Sequence, residues 1–101
     1  MVLCNAPDEG CAKQLAEALI TRQLAACVNL LAPATSLYRW EGRLETATEI
    51  PMLIKTTAEA YPALEATLQE LHPYDTPEII ALPVVAGLPA YLGWVAAEVV
   101  A

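Results

Sequence analysis

The stretch Cys27-Val-Asn-Leu-Leu-Ala-Pro-Ala-Thr-Ser-Leu-Tyr-Arg-Trp40, then Glu41-Gly42, then Arg43-Leu-Glu-Thr-Ala-Thr-Glu-Ile-Pro-Met-Leu-Ile-Lys55-Thr-Thr57, decides the fold. It reads as two long strands folded back on each other at Trp40-Glu41-Gly42, because Gly42 supplies the positive φ that a short hairpin loop needs. Arms of about 13 residues extend roughly 40 Å at the rise of a strand. A compact domain of this length is only about 30–35 Å across. Such a hairpin outruns its own domain, so it either frays in solvent or is covered by another chain.

The totals point the same way. The 101 residues are expected to form a single domain over 1–101 with one core. Hydrophobic residues make up 56% and charged residues 17%, an apolar balance for an ordinary domain. No apolar run approaches the roughly 18 residues that cross a bilayer, so the surplus apolar surface is expected between subunits and not in a membrane. The start, Met1-Val-Leu-Cys-Asn5, is apolar with no basic leader, which argues against a secretory signal. Three cysteines at irregular spacing make no disulfide framework, and a reducing cytoplasm is the expected compartment. Twelve carboxylates face five Lys/Arg and one His. With no basic cluster to neutralise phosphates, nucleic-acid binding is excluded. The acidic balance favours cationic partners such as metal ions, and also serves solubility.

Read outward from the hairpin, residues 2–5 form a short central strand. Ala6-Pro-Asp-Glu9 then opens a helix, with Asp8 as cap and Glu9 at the positive end of the dipole. Ala12, Leu15, Ala16, Leu19 and Ile20 recur at helical spacing and form its apolar face. After Thr57, a second helix carries Tyr61, Leu64, Leu68 and Leu71 along one stripe, with Pro62 in its first turn. His72-Pro73 ends it. Asp75-Thr76-Pro77 makes a turn, and 78–85 reads as a buried strand whose Pro83 marks an edge or a bulge. Gly87-Leu88-Pro89 introduces a last helix with Tyr91, Leu92, Val95 and Val99 on its apolar side. The order predicts an α+β fold: a ferredoxin-like split β-α-β-β-α-β arrangement with a long hairpin between the second and third strands and a C-terminal helix. The sheet face away from the helices is left bare and apolar, which calls for a partner subunit.

Several phrases coincide with one family. They are Ala-Pro-Asp-Glu at 6–9, Leu-Ala-Ala-Cys-Val-Asn at 24–29, Thr-Ser-Leu-Tyr-Arg-Trp-Glu-Gly at 35–42, Ile-Lys-Thr-Thr at 54–57, His-Pro-Tyr-Asp-Thr-Pro-Glu-Ile-Ile at 72–80 and Tyr-Leu-Gly-Trp at 91–94. Together, over essentially the whole chain, they resemble the CutA divalent-cation tolerance family. The resemblance implies a ferredoxin-like subunit in a tight homotrimer, similar in assembly to the PII signal-transduction proteins. It also implies a cytoplasmic protein linked to tolerance of copper and other divalent metals, with no established catalytic activity. The chain starts and ends where the family's core does, without the longer N-terminal extension of some members.

Copper prefers thiolate and imidazole, so Cys4, Cys11, Cys27 and His72 are the residues to weigh. The resemblance implies a copper site using a cysteine of the first strand, matched by Cys4, and adjacent histidines at the end of the second helix. Of these only His72 is present, because position 71 is Leu. Copper or another divalent cation is therefore a candidate cofactor that the resemblance does not firmly imply, and its binding is expected to be weak. Beside this stand plainer readings. Cys4 and Cys27 lie among apolar neighbours, where cysteine packs as a small hydrophobe. Cys11 falls in a first turn whose dipole favours thiolate. His72 lies at a helix C-terminus, where the dipole stabilises a charged imidazole.

A second set, Tyr38, Trp40, Glu49, Lys55, Tyr74, Glu78 and Trp94, places aromatic and charged side chains in an otherwise apolar sequence. These are candidates for a small-molecule cleft between subunits or for interface anchors, which Trp and Tyr also supply. Lys55, closing an apolar run, is expected to pair with Glu49 or Glu78. A lone histidine and the lack of a Gly-x-Ser-x-Gly element argue against a serine hydrolase. Glycines scattered at 10, 42, 87 and 93 form no phosphate cradle. No enzyme is expected. What remains is a metal-tolerance trimer, a PII-like sensor of a small ligand, or an adaptor trimer that presents the hairpin.

Overall fold

Val2, Cys4 and Ala6 are buried while Leu3 and Asn5 are half-buried, the two-residue alternation of a strand with one face on a core. This is β1 (Val2–Ala6) in the computed structural model, which describes residues 1–100. Asp8 caps α1 (Glu9–Thr21): its carboxylate accepts from the Cys11 N–H at 2.8 Å, satisfying one of the free amides of the first turn. Next come β2 (Cys27–Leu30), β3 (Ala34–Trp40), β4 (Arg43–Lys55), α2 (Tyr61–Leu71), β5 (Ile79–Ala81) and α3 (Pro89–Glu98). The sheet order is β2-β4-β1-β5, with β3 also on β4, and every pairing is antiparallel. This is the expected split β-α-β-β-α-β arrangement, with β2 and β3 together serving as its second strand.

The core lies between the sheet and the helices. Val2 and Cys4 of β1, Met52 and Ile54 of β4, Leu15 and Leu19 of α1, and Leu64 and Leu68 of α2 close it. A smaller cluster of Ala60, Val95 and Val99 seats α3 against the start of α2, and the Val100 N–H donates to the Gln23 carbonyl at 2.9 Å. On the face away from the helices, Leu3 stands opposite both Leu53 and Ile80. That face is apolar at its centre, as expected.

Strand β4 alone gives the long arm its predicted length, and the molecule measures 45 × 26 × 22 Å. The other arm is interrupted. Leu30 pairs with Met52 and Ala34 with Glu49, so Leu31, Ala32 and Pro33 stand against only Ile50 and Pro51. This is a bulge, placed where Pro33 has no N–H to give. The strand expected over 78–85 is reduced to Ile79–Ala81. Its pairing with β1 runs from Cys4 with Ile79 to Val2 with Ala81, and the Leu82 N–H then donates to the Met1 carbonyl at 2.7 Å. Residues 82–88 therefore run as an exposed extended arm. The helical stripes are narrower than expected. Ile20 lies at the margin of the buried face of α1, whereas Leu71 is the last residue of α2 and Tyr91 and Leu92 stand in the first turn of α3, so these are exposed at helix ends.

The turn is the expected two-residue loop, and it is left-handed at both positions, with φ 51° at Glu41 and 78° at Gly42. That is the turn whose twist matches the flanking strands. A Cβ added to Gly42 meets no atom within 4 Å, so substitution there costs torsion and not space. Gly42→Ala should lower stability by about 1 kcal/mol, whereas Glu41→Asn, a residue that tolerates this conformation, should raise it. Denaturant midpoints at unchanged m-value measure both.

Candidate functional site

β1 pairs with β4 only over Ile50–Ile54, so Arg43–Glu49 have β3 on one side and no strand on the other. Into this corner comes the segment 72–78 that joins α2 to β5. His72 closes α2, its own N–H donating to the Leu68 carbonyl at 2.8 Å. Its buried ring lies 2.7 Å, through Nε2, from the Asn5 carbonyl and 3.1 Å, through Nδ1, from the Tyr74 amide nitrogen. A carbonyl only accepts and an amide N–H only donates, so Nε2 carries the proton and Nδ1 the lone pair. The ring thus bridges two backbone groups from different parts of the chain, in addition to its place at the helix end. It pins the segment to the end of β1 and packs against the Tyr74 ring at a tilt of 48°, centroids 4.7 Å apart.

Tyr74 in turn donates its hydroxyl to Glu49 Oε2 at 3.3 Å. Burial first, and then the Glu49 charge, push its phenol up, which keeps the proton available for that bond. Asn5 Nδ2 donates to Glu78 Oε1 at 3.4 Å. The result is a cleft of about 670 Å³. Asn5, Glu49, Tyr74 and Glu78 line its body side; Ser36, Tyr38 and Trp40, which alternate along one face of β3, line the hairpin side. Glu49 is only 9% exposed. Tyr74 is its one hydrogen-bond partner among the described residues, and its Oε1 is not sealed in protein but opens on the cleft.

Five of the seven candidates, Tyr38, Trp40, Glu49, Tyr74 and Glu78, therefore come together. Lys55 and Trp94 do not. Lys55 hydrogen-bonds Asn29 Oδ1 instead of Glu49 or Glu78, and Trp94 lies on α3 against Tyr91, ring centroids 5.7 Å apart. Asn5, Ser36, Leu37, Asp75 and Thr76 join the cleft unforeseen. Asp75 and Thr76 had a signal in their place directly after His72-Pro73-Tyr74, but it was read as a turn alone.

The metal candidates are held differently. Cys4 points into the core, and burial, then the charge of Glu78, push its thiol up to about 12. Both ring nitrogens of His72 are engaged. Among the described residues no three His, Cys, Asp or Glu side chains gather in a way that could hold a metal ion. A closed, tight copper centre does not fit the single chain as folded. Cys11 is half-buried, and burial followed by the Asp8 charge push its thiol up, against the dipole effect expected for a first turn. Cys27 is half-buried at the start of β2.

The fold and cleft describe a ferredoxin-like chain with no helix, among the described residues, long and apolar enough to cross a membrane. The family model of the CutA1 divalent ion tolerance protein matches residues 1–98. The divalent-cation tolerance protein CutA of Pectobacterium atrosepticum is 50% identical over 98 residues, covering 97% of this chain and 89% of the relative. The divalent cation tolerance protein (Cut A1) of Thermus thermophilus superimposes with a TM-score of 0.95 at 43% identity, covering 97% of this chain and 95% of that one. The periplasmic divalent cation tolerance protein CutA of Archaeoglobus fulgidus does so with a TM-score of 0.91 at 37% identity, covering 93% and 91%. The chain belongs to the CutA1 family of divalent ion tolerance proteins.

The buried thiol gives a pH signature. Between the ordinary 9.0 and about 12 the folded chain keeps the Cys4 proton that the unfolded chain releases. Stability from this group is therefore complete below 9.0 and is lost as pH rises toward 12, at up to about 1.4 kcal/mol per pH unit. The unfolding free energy of the native chain minus that of Cys4→Ala should fall across this window. Parallel profiles would place the thiol in water.

Proposed function

We propose that the chain acts as a homotrimeric divalent-cation tolerance protein of the cytoplasm, a single domain over 1–101 without catalytic activity, binding copper or another divalent cation weakly. The observation that carries the trimer is the hairpin. It carries Leu37 at 65% and Leu44 at 77% exposure in a molecule 45 Å long, apolar side chains that a partner subunit would cover. The half-bare sheet face at Leu3, Leu53 and Ile80 supports the same reading. Three free cysteines support a reducing compartment.

Cys4 and His72 are the proposed copper donors, and their surroundings account for weak binding. A thiol raised from 9.0 to about 12 must give up its proton, which lowers affinity roughly a thousandfold against an ordinary cysteine. His72 must release either Asn5 or Tyr74. A second reading, a PII-like trimer that senses a small ligand at subunit clefts, is favoured by the cleft around Glu49 and Tyr74.

Sedimentation of the full chain at micromolar concentration should give a trimer, and a monomer would overturn the assembly. Copper titration under reducing conditions should show weak sites that disappear in Cys4→Ser or His72→Ala. Unchanged binding in both variants would remove these residues from the metal reading and leave the cleft as the ligand site.

A further inference from the structure

We propose that the cleft at the root of the hairpin binds an organic polycation, ammonium groups joined by methylene chains, with Glu49 as the deep anchor and Glu78 and Asp75 at the rim. The proposal rests on the reading of the cleft as the ligand site and supplies the chemistry of its occupant. Glu49 is the starting point. A carboxylate at 9% exposure that receives one hydroxyl bond, 3.3 Å from Tyr74, has spare acceptor capacity directed at the cleft. Buried charge is stable only when paired or well bonded, and a cation entering the cleft completes it.

Charge on carbon chains fits better than a bare metal ion. A hard divalent cation needs several oxygens converging on one point at about 2.0–2.6 Å, and no such group forms among the described residues. The three carboxylates are instead distributed around a space of about 670 Å³, the size of a small-molecule site and far larger than an ion. Tyr38 and Trp40, 45% and 53% exposed, lie farther along the face of the hairpin that carries Glu49, opposite Glu45 and Arg43, and line the cleft together with Leu37. Aromatic faces attract ammonium groups through their quadrupole, and their apolar area accepts methylenes. With a formal net charge of −7, the field of the whole chain draws cations toward it.

The test uses spermidine titrated into the full chain in its native assembly. Emission is read in a Trp94→Phe background so that Trp40 is the reporter. Spermidine should saturate and shift that emission. Glu49→Gln, which keeps an acceptor for Tyr74, should weaken binding about thirtyfold or more. Asp75→Asn, an exposed position, should weaken it roughly two- to fivefold and checks the result independently of any folding defect at Glu49. No binding at millimolar spermidine, equal affinity in Glu49→Gln, or displacement by equimolar magnesium would overturn the proposal. A panel of neutral and anionic metabolites separates the two levels. If one of them moves the Trp40 signal and spermidine does not, the cleft reading stands and the polycation falls. If nothing moves it, both fall.

Discussion

Every residue of a strand carries a backbone donor and acceptor that need partners, and β4 has thirteen residues in a layer whose next longest strand, β3, has seven. β1 covers Ile50–Ile54, β2 covers Met52–Lys55 and β3 covers Arg43–Glu49. Only Met52–Ile54, near the end of β4, are therefore paired with strands on both sides, and its first seven residues keep one open edge. The cleft exists because β1 stops at Ala6 while β4 continues. Segment 72–78 closes part of that gap through His72 on Asn5 and Tyr74 on Glu49. The hairpin's reach, the burial of Glu49 and the position of Tyr74 are thus consequences of one mismatch in strand length.

Much of this was legible in the residues. Gly42 marks the turn, Asp8 the first cap, and the order of apolar periodicities the ferredoxin-like topology; each depends on neighbours close in sequence. The cleft residues Tyr38, Trp40, Glu49, Tyr74 and Glu78 stood out because polar and aromatic side chains are conspicuous in so apolar a chain. What escaped depends on distant partners. The extent of β5 is set by its pairing with Val2–Cys4 of β1, and no pattern in 78–85 contains that. Lys55 meets Asn29 because the β2–β4 register sets them diagonally on one face, Lys55 opposite Cys27 and Asn29 opposite Leu53. For Cys11, burial and the Asp8 charge outweigh a helix dipole that was the only effect visible in sequence.

His72 illustrates how a residue suspected for its chemistry can be held by architecture. Its two ring nitrogens join the end of β1 to the segment after α2, so the imidazole acts as a cross-brace between a strand and a loop. Any ligand role has to compete with that bracing. Glu49 has the opposite character: its support, a single hydroxyl, leaves capacity unused.

The bulge at Leu31–Pro33 determines which way the aromatic side chains look. In β2 the even-numbered Val28 and Leu30 share a face with Ile54 and Met52, toward the helices. Beyond the extra residue, the even-numbered Ser36 and Tyr38 share a face with the odd-numbered Ala47 and Glu45, on the side of Glu49. One inserted residue thus transposes the two sides of the hairpin. Shortening this connection by a single residue would be an inversion: it would move Leu37 and Arg39 onto the face of Glu49 and turn Tyr38 and Trp40 to the other, with every side chain of β3 unchanged in identity. The parity of one three-residue connection is therefore inherited together with the aromatic wall of the cleft.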